Sequence, residues 1–138
     1  MIVVDSSAVV AIILGEPQAE ILTKRIVKER VGVRSMSAAT YLETGTVLAG
    51  RRKDAPQKAI EVLDGFLSNA GIDLIPVDAE QARIALKARI EYGRGFGSRA
   101  GLNYGDCFSY ALAKCLSAPL LYIGNDFDET DIAAAMKS

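Results

Sequence analysis

The spacing of apolar positions changes repeatedly along the chain, and each change marks an element. Met1 to Val4 is a short β-branched run that reads as a strand, ended by Asp5-Ser6-Ser7, residues able to cap a helix. Apolar residues continue to Leu14, where Gly15-Glu16-Pro17 breaks the pattern. Pro17 suits the first turn of a helix through about Glu29, with Ile21, Leu22, Ile26 and Val27 as its apolar stripe. Val31 to Arg34 reads as a second strand; Ser37 then caps a helix through about Ala49, and Gly50 ends it. Pro56 opens a helix carrying Ile60, Val62, Leu63, Phe66 and Leu67. Ile72 to Val77 reads as a third strand, and Asp78 caps a helix reaching about Tyr92. Gly93 to Gly105 is a glycine-rich loop. Asp106 to Leu116 reads as a helix, with Phe108, Ala111, Leu112 and Cys115 at i, i+3, i+4 and i+7, and Leu120 to Ile123 as a fourth strand.

Strands separated by helices imply an α/β fold with crossover connections: a mostly parallel sheet of four to five strands, flanked by helices on both faces. No linker, repeat or low-complexity tract interrupts the pattern, so residues 1–138 read as one domain. Sites in open α/β sheets form outside the carboxyl ends of the strands. Asp5 follows the first strand and Asp126 the fourth, which places both on one rim.

Charge placement adds to this picture. From Met1 to Gly15 the only charged side chain is Asp5; between Arg34 and Arg51 it is Glu43; between Arg99 and Lys114 it is Asp106; between Lys114 and Asp128 it is Asp126. A lone carboxylate among apolar neighbours is costly unless paired or metal-bound. Asp5 and Asp106 have an ordinary alternative as helix caps, and Asp126 as a turn residue. Glu43 has none, because Ala39, Thr40, Thr46 and Val47 surround it one turn away and none is charged. Asp128, Glu129 and Asp131 lie close enough in sequence that the acid completing the cluster stays open. Clustered carboxylates repel, and a hard divalent cation removes that penalty. With oxygen ligands alone, magnesium is favoured, with manganese as a substitute. Such a site suits phosphodiester hydrolysis: the metal polarises the phosphate and activates the attacking water.

Composition removes competing chemistries. There is no histidine, which excludes a Ser-His-Asp triad, a histidine acid/base pair and a histidine-ligated zinc. Cys107 and Cys115, eight residues apart on one expected helix, stand about 12 Å apart by helix rise, too far for a disulfide. Reduced thiols imply a cytoplasmic protein. The N-terminal apolar run lacks a basic flank, contains Asp5 and stops short of the ~20 residues a bilayer span needs, so no membrane partner is expected. A net charge of −1 makes any nucleic-acid surface a local patch.

These residues carry a resemblance. Met1-Ile2-Val3-Val4-Asp5-Ser6-Ser7-Ala8, Ser37 through Glu43, Leu102-Asn103-Tyr104-Gly105-Asp106-Cys107-Phe108-Ser109-Tyr110-Ala111-Leu112-Ala113, and Gly124-Asn125-Asp126-Phe127 followed by Thr130-Asp131 occur in an order that resembles PIN-domain nucleases. Within that group they resemble the VapC toxins of toxin–antitoxin pairs. The resemblance implies a magnesium-dependent endoribonuclease leaving 5′-phosphate and 3′-hydroxyl ends. It puts Asp5, Glu43, Asp106 and Asp126 on the family's four acidic positions, catalytic and metal-binding. Ser6 falls on its hydroxyl position beside the first acid. It also implies a homodimer and a cognate VapB-type antitoxin that presents an arginine to the acids.

RNA needs cations near an acidic pocket. Arg51, Arg52 and Lys53 close the Glu43 helix, and Arg94 and Arg99 share the glycine-rich loop with Phe96; these are the candidate phosphate contacts. Their ordinary readings are helix C-terminal charge and a solvated connector. An aspartate-nucleophile phosphatase would need a second Asp where Ser7 stands. A receiver domain would need paired acids after the first strand and a phosphorylatable Asp after the third. A non-catalytic binding module would tolerate loss of Asp5 or Asp106.

Overall fold

In the computed structural model, which describes residues 1–136, β1 (Ile2–Val4), β2 (Arg34–Ser37), β3 (Asp73–Ile75) and β4 (Leu120–Leu121) form a wholly parallel sheet in the order β3-β2-β1-β4. Lys137 and Ser138 lie outside the described residues. Between the strands run α1 (Ser6–Ile13), α2 (Ala19–Val27), α3 (Ala38–Gly50), α4 (Pro56–Ala70), α5 (Ala79–Tyr92) and α6 (Asp106–Leu116). Strand alternation divides the core in two. Ile2 and Val4 pack with α1, α2 and α4 through Val9, Leu22, Leu63 and Leu67, whereas Val3 packs with α5 and α6 through Ala88 and Leu112. Helices therefore cover both faces, as the alternating pattern implies. A rudimentary fifth position exists beyond β4: Ala134 bridges Leu120 in parallel, flanked by Leu120 N donating to Ala133 O (2.9 Å) and Ala135 N to Leu120 O (2.8 Å). No helix among the described residues is long and apolar enough to cross a membrane.

Several boundaries depart from the sequence reading. β2 is Arg34–Ser37, not Val31–Arg34, and Val31 is exposed. The valines point to the wrong segment because this strand buries polar groups that find partners. Arg34 donates Nε to Glu29 O (2.8 Å) and Nη1 to Ala70 O (2.6 Å), and Ser37 turns out of the strand to cap α3 at Ala39 N. α2 begins at Ala19, and only Leu22 and Ile26 of its expected stripe are buried. A nine-residue helix docks through one i, i+4 ridge, so Ile21 and Val27 remain outside. In α4 the ridge is Ala59, Leu63, Leu67, leaving Ile60 and Val62 exposed. β3 and β4 are shorter than expected, and Gly50 is the last residue of α3 rather than a residue beyond it. α6 agrees at both ends, and its two cysteines are free.

The chain starts at β1, moves outward to β2 and β3, then returns to β4 on the other side of β1. That reversal opens a crevice at the carboxyl ends of β1 and β4. Asp5 lies at its edge.

Candidate active site

Asp5 leaves β1 directly into α1 and caps that helix. Its Oδ2 accepts from Ser7 N (3.1 Å) and Ser7 Oγ (2.8 Å), and its Oδ1 accepts from Ser109 Oγ (2.6 Å). Thr40 Oγ1 lies 3.1 Å from Ser109 Oγ. Since the single Ser109 proton goes to the carboxylate, Thr40 is the donor in that pair, giving the buried chain Thr40, Ser109, Asp5. Ser7 Oγ also accepts from Ile123 N at 3.1 Å, which ties the first acid to the end of β4. The cap reading of Asp5 holds, and capping α1 also fixes how its carboxylate sits at the crevice.

Asp106 is similar. Asn103 Oδ1 accepts from Asp106 N (2.8 Å), while Asp106 Oδ2 accepts from Asn103 N (2.9 Å), a reciprocal capping pair at the start of α6. Asp106 is 7% exposed. Burial, together with the charges of Asp5, Asp126 and Glu43 and against the Asn103 amide, pushes its carboxyl up to about 7. All three other acids are thus close enough to be felt there.

Glu43 reaches the same place from the middle of α3. Its Oε1 is buried without a hydrogen-bond partner. Burial raises its pKa, the nearby Asp5 adds to the rise, and the Ser6 hydroxyl opposes it. A Cβ on Gly105 would overlap the Glu43 carboxyl group, so the residue before Asp106 is a glycine by contact. Asp126 lies on the irregular segment after β4, with Asp128 and Glu129 lining the same cavity of about 460 Å³. Asp128 accepts from Tyr122 OH at 2.7 Å, whereas it is the Asp126 charge that is felt at Asp106.

The structure therefore sets Asp5, Ser6, Glu43 and Asp106 at one rim, with Asp126 near enough for its charge to be felt at Asp106. Among the described residues, no three acidic or cysteine side chains converge closely enough to hold one metal ion in this arrangement. The donor set nevertheless suits a hard cation, being carboxylate and hydroxyl oxygens with one orphaned carboxylate oxygen. Cys107 offers no competing thiolate, because burial pushes it up to about 11.

Of the basic candidates, Arg94 and Arg99 line the Asp126 cavity with Ala100 and Gly101. Arg51 and Arg52 do not join them. They sit at the end of α3 beside Ile13, Leu14 and Val62, about 12 Å of helix beyond Glu43. A larger cavity, about 650 Å³, lies between Gln18, just before α2, Ile21 of α2 and the Tyr122–Met136 region, and contains none of the four acids. Asp78 caps α5 through Gln81 N at 2.8 Å, as the sequence reading expects. Residue-type reasoning missed Ser7, Thr40, Asn103, Gly105 and Ser109. The signal for Ser109 was its spacing, three residues after Asp106 on one helix face.

Residues 2–133 match the PIN domain family. The chain is 48% identical over 132 residues to Ribonuclease VapC of Mycolicibacterium smegmatis, covering 96% of this chain and 98% of that protein. It is 47% identical over 131 residues to Ribonuclease VapC30 of Mycobacterium tuberculosis, covering 95% of each. Ribonuclease VapC42 of the same species is 44% identical over 133 residues, covering 96% and 98%. In fold, the chain resembles the crystal structure of Mycobacterium tuberculosis VapC20, described as a sarcin–ricin loop cleaving toxin, with a TM-score of 0.73, 18% identity and coverage of 96% and 97%. The chain belongs to the PIN-domain family and, within it, to the VapC ribonucleases.

Proposed function

We propose that this chain is the toxic, RNA-cleaving member of a toxin–antitoxin pair, an endoribonuclease whose catalytic centre is Asp5, Glu43, Asp106 and Asp126 with bound Mg2+, for which Mn2+ substitutes. The observation that carries the reading is the unpartnered Glu43 Oε1 beside Asp106, whose carboxyl is pushed up to about 7 by burial and by three further carboxylates. Acids gathered at such electrostatic cost, with no arginine or lysine bonded to any of the four among the described residues, are what a cation-binding site requires. Asp5, Glu43, Asp106 and Asp126 would hold the ion. When bound it supplies Lewis-acid polarisation of the phosphate and a lower pKa for the attacking water. The protein's own groups do the rest. Ser7 and Ser109 fix both oxygens of Asp5, Asn103 fixes one oxygen of Asp106, and Ser6 faces Glu43.

Arg94 and Arg99 beside Asp126 are positioned to take phosphates. Tyr104, 73% exposed and edge-on to Phe108, and Phe96, 56% exposed under the Arg89 guanidinium, offer faces for unpaired bases. Arg51 and Arg52 would meet only RNA that extends past the pocket. A homodimer would cover the large apolar side chains left exposed on α3 and α5, Leu42, Leu86 and Ile90. A VapB-type antitoxin would silence the site by setting a cation against the acids. Free thiols suit the cytoplasm.

The test is incubation of antitoxin-free protein with total RNA in Mg2+, Mn2+ or EDTA, beside Asp106→Asn. Discrete fragments with 5′-phosphate ends that need metal and disappear in the variant are expected. Cleavage that survives EDTA or Asp106→Asn would overturn the reading.

A further inference from the structure

Asp126 is the one acid of the four carried by an irregular segment, and that segment is tied to α6. Residues 122–132 run from the end of β4 to the bridge between Leu120 and Ala134. Within it, Tyr122 OH donates to Asp128, and Phe127, its ring 5.0 Å from Tyr122, is buried in the same apolar cluster as Tyr110, Ala111 and Leu112 of α6. At its start Ile123 N donates to Ser7 Oγ of α1, and the side-chain hydrogen bonds to α6 are made at Asp131. Tyr110 OH donates to its Oδ1 at 2.5 Å, and Lys114 Nζ to its Oδ2 at 2.9 Å. Among the described residues these are the only side-chain hydrogen bonds joining the segment to α6.

The two bonds are unequal. Lys114 is 40% exposed and its ion pair is screened by water. Tyr110 is 6% exposed; burial and the bond to Asp131 raise its pKa, so the hydroxyl stays a donor. Lys114 first, and Tyr110 second, hold the Asp131 carboxyl below its usual range, so it stays an acceptor. Nothing in the proposed cleavage chemistry uses Asp131, and a surface loop needs no part-buried tyrosine–carboxylate bond to be soluble. The placement on α6 accounts for it. Asp106, Ser109 and Tyr110 occupy i, i+3 and i+4 of one turn: the first is itself in the cluster, the second donates to Asp5, and the third holds the segment that carries Asp126.

We infer that Tyr110 and Asp131 are positioning residues, the bond through which α6 sets Asp126 against Asp5 and Asp106. The inference rests on the reading of the four acids as a metal-dependent cleavage centre. Tyr110→Phe removes one hydroxyl and keeps the ring beside Tyr92. It is expected to lower kcat about tenfold with KM for RNA unchanged, and to raise the Mn2+ concentration for half-saturation of the RNA-free protein, read by water-proton relaxation, by about tenfold. Asp131→Asn, which still offers Tyr110 a carbonyl acceptor, is expected to lose less than Asp131→Ala; this exposed pair decides the matter if Tyr110→Phe does not fold. Lys114→Gln should stay near the parent. Parent values of kcat and half-saturation in folded Tyr110→Phe, or equal losses in the two Asp131 variants, would overturn the positioning role while leaving the cleavage centre standing. A parent protein that neither binds Mn2+ nor cleaves RNA would overturn both.

Discussion

At the scale of single residues, the site is built from side chains that serve twice. Asp5 and Asp106 hold helix starts together and also supply negative charge to the crevice, and the cost is concentrated at Asp106. Its carboxyl is pushed up to about 7 when folded, against about 3.8 in an unstructured chain. Between those values the folded state holds a proton that the unfolded state has lost. Stability of the metal-free protein therefore falls as pH rises from about 4 to about 7, by no more than ~1.4 kcal/mol per pH unit from this group. Glu43, also raised, adds in the same direction. Urea midpoints in EDTA from pH 5 to 8 should show this fall in the parent and a flatter profile in Asp106→Asn. A profile unchanged by the substitution would show that Asp106 does not carry the strain. The acids themselves were legible in the sequence, because each stands alone in a long uncharged window. Their supports were not. Thr40, Ser109 and Asn103 are common polar residues whose roles depend on which helices meet at the rim, and the need for glycine at 105 comes from Glu43, sixty-two positions away in the chain.

At the scale of elements, helices with clear caps were readable to within a residue or two. Asp78 and Ser37 each accept the backbone amide expected of a cap. Strands were less readable, and β2 shows why. Arg-Ser-Met-Ser has no alternating apolar pattern, yet it lies buried between β1 and β3. Its stability comes from satisfied polar groups, Arg34 bonding carbonyls thirty-six residues apart in one case and five in the other. Arg34→Met keeps much of the volume and strips both carbonyls of their donor. It is expected to cost about 1–3 kcal/mol in chemical unfolding. An unchanged midpoint would mean that the aliphatic stem, not the guanidinium, holds the strand. The apolar stripes of α2 and α4 misled for a related reason. A short helix against a sheet buries one ridge, and sequence alone does not say which of two adjacent ridges faces in.

At the scale of the molecule, the fold gathers charges that are distant in sequence. Strand order β3-β2-β1-β4 reverses direction beside β1, and that reversal brings the start of α1, the middle of α3, the start of α6 and the segment after β4 to one rim. Alternating elements made the parallel sheet readable, and the rule for crevices led to the expectation that Asp5 and Asp126 share one rim. Glu43 and Asp106 could not be placed that way, since neither follows a strand; helix packing brings them in. The central claim is that these four carboxylates act as one cation-binding unit, and it has a direct thermodynamic signature. The Asp106 carboxyl is pushed up to about 7, so a cation that engages it near that pH displaces protons. The deciding measurement is calorimetric titration of Mn2+ into the RNA-free protein in two buffers of different ionisation enthalpy. Saturable binding that releases protons at pH 7, with both binding and release lost in Asp106→Asn, is the predicted result. Absence of saturable binding, or binding and proton release that Asp106→Asn leaves unchanged, would contradict it.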